Sequence, residues 1–151
     1  MEFFSLKSKN AVVTGAGSGL GYATAKRFKE AGANVTMADI NEKTAELARE
    51  LGCHFVKTDV SCEADMENLM KSAAEQYGKL DIVVNNAGII CPEELLENAD
   101  SKTYESLFHV NVMGVVFGIK YGQKYMNDGG VILNTASNSA NGDYAGYGPY
   151  I

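Results

Sequence analysis

The 151-residue chain has no tryptophan, two prolines, three cysteines, two histidines and no segment in which basic residues accumulate. Each scarcity removes a class of function. With 13 Lys and Arg against 19 Asp and Glu, and a net charge of −6, no basic stripe exists to neutralise a row of phosphates. Nucleic acid is therefore not an expected partner. No run approaches the ~18 apolar residues of a membrane span, and Met1–Lys7 lacks the basic-then-apolar order of a leader. No membrane partner and a cytoplasmic location are expected. Cys53, Cys62 and Cys91 are odd in number without ligand-like spacing, and His54 and His109 stand apart from any cysteine pair. Reduced structural thiols and no metal site follow.

What is present is the make-up of a compact domain, 46% hydrophobic and 21% charged, of a length that fits one core. Residues 10–14 form a short, almost unbroken apolar run, as in a strand covered on both faces. A glycine-rich turn follows, then a helix ended by Gly32, with Leu20, Ala23, Phe28 and Ala31 near one face. Residues 34–39 make a second strand. Asn41 is placed to cap a helix running to Leu51, with Leu47, Ala48 and Leu51 as its inner stripe. A third strand covers 54–57. Ser61 is the expected cap of a helix whose Met66, Leu69, Met70, Ala73 and Tyr77 recur at helical spacing up to Gly78. A fourth strand at 80–84, a long helix over about 101–127, a turn at 127–130 and a fifth strand at 131–134 complete the alternation. Strand and helix in strict alternation imply an α/β fold: a doubly wound, Rossmann-like parallel sheet of five strands, with ligands at the carboxyl ends of the strands.

The turn Thr14-Gly-Ala-Gly-Ser-Gly-Leu-Gly21 brings backbone N–H groups and a helix N-terminus to that end of the sheet, where a pyrophosphate fits. Gly15 permits the sharp exit from the strand, Gly19 lets the backbone approach the ligand, and Gly21 allows close helix packing. Such a turn alone is a weak signal. Its context is stronger, because Asp39 ends the next strand 18 residues after Gly21. A carboxylate there accepts hydrogen bonds from a ribose diol and repels a 2′-phosphate. Ser18 and Ile40, where an Arg or Lys would hold that phosphate, are neutral, so NAD is the expected cofactor.

With Asn85-Asn-Ala-Gly88 after the fourth strand and Asn134-Thr-Ala-Ser137 after the fifth, the chain resembles the short-chain dehydrogenase/reductase family, in its smaller, non-extended branch. The match covers the whole chain. The resemblance implies that Gly15, Ser18, Gly19, Leu20, Gly21, Asp39 and Ile40 serve the cofactor, together with Asp59 and Val60 at the adenine ring and Asn86, Ala87 and Gly88 along its length. Asp59 would bond the adenine amino group. It further implies that Ser137 orients a substrate oxygen, that Asn111 holds a water in a proton relay, and that a tyrosine thirteen residues after the serine is the general acid/base. That tyrosine is Tyr150, whereas Tyr144 and Tyr147 stand at offsets of seven and ten.

A phenol with a reference pKa of about 10 needs a neighbouring cation to act as a base near pH 7. In the family that cation is a lysine four residues after the tyrosine, a position beyond Ile151. Two readings stand side by side: a portion of an NAD-dependent alcohol dehydrogenase or ketoreductase lacking its carboxyl-terminal strands, or a short NAD-binding module without turnover. A sugar-nucleotide epimerase, whose glycine turn is spaced differently, fits less well. The resemblance implies a small-molecule alcohol or ketone as substrate, with Cys91, Pro92 and the 138–148 loop expected at its rim. The resemblance also implies a homotetramer or dimer with the long helix at one interface. Gly114, Gly118 and Gly122 on that helix, each costing roughly 1 kcal/mol against alanine, are expected to pack closely on the sheet or on a second subunit.

Overall fold

A computed structural model describes residues 5–90, 100–142, 147 and 150. Its element order is β1 (Asn10–Thr14), α1 (Gly19–Glu30), β2 (Asn34–Asp39), α2 (Thr44–Leu51), β3 (His54–Lys57), α3 (Glu63–Tyr77), β4 (Leu80–Asn85), α4 (Ser101–Phe108), a π turn (His109–Met113), α5 (Gly114–Tyr125) and β5 (Met126–Asn134). A 3₁₀ turn, Asn138–Asn141, follows β5. The strands form one parallel sheet in the order β3-β2-β1-β4-β5. The order reverses between β1 and β4, which opens a crevice at their carboxyl ends.

All five residues of β1 are buried, as its unbroken apolar run requires in a strand covered on both faces. Two cores lie on opposite sides of the sheet. Val12, Met66, Leu69, Met70 and Val83 centre the side covered by α3 and α5. Val13, Ala25, Val35, Met37 and Ala48 centre the side covered by α1 and α2. The α/β doubly wound, Rossmann-like architecture is thus the one implied by the sequence.

Several boundaries differ from the sequence expectation, each for a local reason. The inner face of α1 is Gly21 and Ala25 with Phe28 packed beside them, while Leu20 is 74% exposed at the mouth of the crevice. Asn41 accepts from Lys43 N at 3.1 Å inside a turn, so α2 starts only at Thr44. Ser61 gives its hydroxyl to Asp59 Oδ1 at 2.6 Å, a charge-assisted bond that outcompetes capping, and Cys62 takes the cap position of α3. The long helix is interrupted by the π turn and ends at Tyr125. Strand β5 begins at Met126: Leu80 pairs with Met126 and Ile82 with Val131, so the expected turn at 127–130 is an irregularity inside the strand, with Gly129 at φ 78°. Cys53 is half-buried and Cys62 is exposed, so Cys62 is not the packed structural thiol expected from the sequence.

The glycine stripe of α5 packs on the sheet side. A Cβ on Gly114 would stand 3.1 Å from Val60, one on Gly118 would overlap the Asn85 carboxamide, and one on Gly122 would meet Ile132 and Val83 at 3.4 Å. The three sites therefore respond differently to a methyl group. Gly118→Ala is expected to lower stability by about 1–3 kcal/mol, through overpacking against a buried amide. Gly122→Ala, which finds ordinary contact distance and gains helix propensity, is expected to be neutral or stabilising by up to ~1 kcal/mol. Urea denaturation of the two variants beside the parent checks the order; equal effects would contradict it.

Candidate functional site

At the crevice the end of β1 and the end of β4 are tied together by four hydrogen bonds. The Thr14 hydroxyl accepts from Asn86 N at 3.0 Å and from Ala87 N at 3.1 Å, and it is placed to donate to Val84 O at 3.4 Å. The Asn86 carboxamide donates to Thr14 O at 3.0 Å. Gly15, at φ 63°, turns the chain out of β1 where a Cβ would come within 2.8 Å of Ala87 Cα. A side chain at Gly21 would run into the Gly15 carbonyl, so α1 can start only this close to the strand end without one.

The resulting cavity, about 460 Å³, is lined by Gly15, Ser18, Gly19, Leu20, Asp39, Ile40, Asp59, Val60, Asn86, Ala87 and Gly88. Every cofactor residue expected from the sequence faces it except Gly21, which acts from beneath. Thr58, Ile89, Val110 and Thr135 also line it. Two features fit a dinucleotide. Nothing stands within 4 Å of where a Cβ of Gly19 would be, and Ser18 leaves the first turn of α1 without a side-chain cap, so free N–H groups are available to an anion. The apolar side chains of Leu20 and Ile40, 74% and 62% exposed, sit on the rim where a ligand would cover them.

Asp39 is held by two main-chain donors, Gly17 N at 2.8 Å to Oδ2 and Asn41 N at 2.9 Å to Oδ1. Asp59 Oδ1 accepts from both Ser61 N and Ser61 Oγ, and Asp59 N donates to Asp65. Both carboxylates are thus oriented before any ligand arrives.

A second cavity of about 440 Å³ adjoins the first, sharing Asn86, Ala87, Gly88, Ile89 and Thr135 and adding Asn111, Ser137, Ser139 and Tyr150. Asn111, in the π turn, pairs its carboxamide with Ile89 in both directions, accepting from N and donating to O at 2.8 Å each. Ser137 Oγ bonds Ser139 Oγ at 2.9 Å and accepts from Ser139 N at 3.2 Å. Tyr150 N donates to Tyr147 O. The three expected catalytic residues therefore line one cavity, and among the described residues the Ser137 hydroxyl bonds Ser139 and not Tyr150. Cys91, Pro92 and Tyr144, and parts of the loop expected at the rim, lie outside the described residues.

Sequence reasoning missed Thr14, Gly17, Thr58, Ile89, Val110 and Thr135, and it placed Ser139 only within the rim loop. Thr14 and Thr135 carried a signal, since each sits at the carboxyl end of a strand or just past it. Two further titratable side chains, Cys53 and His54, line neither of these cavities. Burial pushes the Cys53 thiol up, with Lys29 opposing, and pulls His54 down, so both are neutral near pH 7. His54 Nε2 lies 3.0 Å from Ser72 Oγ on the outer strand β3, away from the crevice. Among the described residues, no cluster of three or more His, Cys, Asp or Glu could hold a metal, and no helix is long and apolar enough to cross a membrane.

A glycine turn on the switch point of a doubly wound sheet, with an acidic residue ending β2, defines a dinucleotide-binding class of fold. The family model described as short chain dehydrogenase matches residues 9–151, and the chain belongs to the short-chain dehydrogenase/reductase family. It is 40% identical over 136 residues to a mitochondrial borneol dehydrogenase of Lavandula x intermedia, covering 87% of this chain and 52% of that protein. It is 40% identical over 141 residues to 3beta-hydroxysteroid dehydrogenase 2 of Eggerthella lenta, covering 87% and 54% respectively. The chain thus spans about half the length of these relatives. A crystal structure of the 3-ketoacyl-(acyl-carrier-protein) reductase of Brucella melitensis complexed with NADH superposes with a TM-score of 0.92 at 35% identity, over 97% of this chain and 64% of that one.

The brace at Thr14 is directly testable. Thr14→Val, which keeps the shape and removes the hydroxyl, orphans two N–H groups and is expected to cost about 1–3 kcal/mol. Amide exchange at Asn86 and Ala87 should quicken more than elsewhere in the sheet. Unchanged protection at these two amides would contradict the brace.

Proposed function

We propose that the protein is an NAD-dependent oxidoreductase that moves a hydride between NAD(H) and a secondary alcohol or ketone. The observation that carries this reading is the continuity of the two cavities through Asn86–Ile89 and Thr135, with Asp39 at one end and Ser137 and Tyr150 at the other. The bound nicotinamide would supply the hydride acceptor or donor. Gly15, Ser18, Gly19 and Leu20 would hold the pyrophosphate, Asp39 and Ile40 the adenosine ribose, and Asp59 and Val60 the adenine. Asp39 favours NAD over NADP because its charge opposes a 2′-phosphate, and neither Ser18 nor Ile40 offsets it. Ser137 orients the substrate oxygen, and Tyr150 takes or returns the hydroxyl proton as the hydride moves. Asn111 fixes Ile89 at the junction of the cavities, with the proton relay to solvent passing beside it. The NADH in the Brucella melitensis reductase and the alcohol- and ketone-directed names of the relatives support the reaction class.

Residues 1–151 form one dinucleotide-binding domain in this reading, acting in the cytoplasm. Tyr104, Phe108, Val112 and Val116 recur four residues apart along α4, the π turn and α5, 39–54% exposed, and we propose this stripe as the face through which copies associate as a dimer or tetramer. Phe108→Asp is expected to shift the light-scattering mass toward the monomer; an unchanged mass would place the interface elsewhere.

Calorimetric titration with NAD⁺ and NADP⁺ beside a rate assay on secondary alcohols tests the main proposal. Tighter binding of NAD⁺ is expected. Where turnover is measured, Tyr150→Phe should lower kcat by about 10²–10⁴-fold and leave NAD⁺ affinity unchanged. Binding without turnover would support the alternative, an NAD-binding module; binding of neither cofactor would reject both readings.

A further inference from the structure

We infer that Gly17 is a positioning residue for cofactor choice: its N–H holds the Asp39 carboxylate in the orientation that accepts a ribose diol and opposes a 2′-phosphate, and the space beside it, closed by Thr44, leaves no room for a side chain. The inference rests on the NAD reading above and adds the residue that makes Asp39 selective.

Asp39 ends β2, where a short carboxylate could adopt several rotamers. One N–H on each oxygen removes that freedom: Gly17 N on Oδ2 at 2.8 Å and Asn41 N on Oδ1 at 2.9 Å. A carboxylate has about four lone-pair sites, so two remain for a diol. The Gly17 bond spans the glycine turn and the end of β2, and it couples the part of the cavity that would hold phosphates to the part that would hold the ribose.

Gly17 does not have a positive φ, unlike Gly15 and Gly19 in the same turn. Space, and not backbone conformation, demands glycine here. A Cβ at this position would overlap Thr44 Oγ1 and stand 2.9 Å from Asp39 Oδ2 and 3.0 Å from Asp39 Cγ. These obstacles are all side-chain atoms. At Gly15 and Gly21 the nearest obstacles are main-chain atoms of Ala87 and Gly15, so a methyl group there would disturb the fold itself. A methyl group at 17 would instead press on the Thr44 hydroxyl and the Asp39 carboxylate together.

Thr44 closes the arrangement from the other side. It is the first residue of α2, 2% exposed, and its hydroxyl packs into the space that a side chain at 17 would need. The turn, β2 and the start of α2 therefore meet at one point, and the Asp39 carboxyl group lies between them. A carboxylate swung out of this position loses its bonds to the diol and its opposition to a 2′-phosphate together. NAD⁺ then binds more weakly, while NADP⁺, relieved of that opposition, binds as well as before or more tightly.

The test is calorimetric titration of NAD⁺ and NADP⁺ into the parent protein, Gly17→Ala, Gly17→Ala with Thr44→Ala, and Asp39→Ala, with the melting of each ligand-free protein recorded. Gly17→Ala is expected to weaken NAD⁺ about 10-fold, the loss of roughly one charge-assisted bond, and to leave NADP⁺ affinity unchanged or raised. The double variant is expected to recover part of the NAD⁺ affinity, because the turn can shift toward the space Thr44 vacates and carry the methyl group away from Asp39. Equal weakening of both cofactors by Gly17→Ala, or weakening of neither, would overturn the inference. Asp39→Ala tests the underlying reading separately: an unchanged NAD⁺ to NADP⁺ ratio there rejects the NAD assignment. A ratio that collapses in Asp39→Ala and holds in Gly17→Ala rejects only the role of Gly17. If Gly17→Ala does not melt cooperatively, Thr44→Leu, which presses on the same contact from α2, must show the same selective loss of NAD⁺; its absence overturns the inference.

Discussion

The structure depends on how closely the ends of β1 and β4 approach each other where the strand order reverses. Thr14 and Asn86 make that approach stable, because the hydroxyl of one and the carboxamide of the other satisfy main-chain groups that the diverging strands leave unpaired. Each bond contributes only about 1 kcal/mol net, but leaving its partners unsatisfied in a half-buried crevice would cost more. Gly15 and Gly21 supply the room. The glycine turn and the floor of the cavity consequently behave as one unit, and any ligand held by the first is presented to the second.

The same logic extends along β4 and β5. Asn85 bonds Asn134 across the two strands at 2.9 Å, its carbonyl accepts from Thr135 N, and its carboxamide packs against Gly118 of α5. These contacts set the height at which β5 releases the chain toward Ser137. On the helix side, Gly114 against Val60 and Gly118 against Asn85 bring α5 down on the sheet, and the π turn before it swings Asn111 onto Ile89. A π turn inside a helix is weakly stable alone and commonly marks a functional position. Here it carries the residue that ties the two cavities at their junction.

Much of this was legible in the sequence. Unbroken apolar runs gave β1 and β4, heptad-like spacing gave the inner face of α3, and the strand–turn–helix context singled out Gly15, Ser18, Gly19 and Asp39, all of which line the first cavity. The parts that were not legible depend on competition between side-chain partners. Ser61 reads as a cap, yet Asp59 is close enough to take its hydroxyl. Asn41 reads as a cap, yet it serves its own turn. Leu20 reads as core, yet the tight seat of Gly21 rotates α1 so that Leu20 faces the cavity. Gly17 gave no signal because its importance lies in the space beside it, and space between β2, α2 and the turn exists only after folding. Likewise the long helix shows no π turn in its periodicity, since one inserted residue shifts the pattern too little over so few turns.

The proposed function requires the crevice at the β1–β4 switch point to act as a single NAD site reaching from Asp59 to the Asn86–Ile89 segment. Amide spectra recorded during an NAD⁺ titration test it most directly. The account predicts shifts at Gly15, Ser18, Gly19, Leu20, Asp39, Ile40, Asp59, Val60 and Ala87 that saturate together, with β3 and the Met126–Gly130 part of β5 unmoved. Shifts confined to the β5 edge, or groups of residues saturating at different NAD⁺ concentrations, would contradict it.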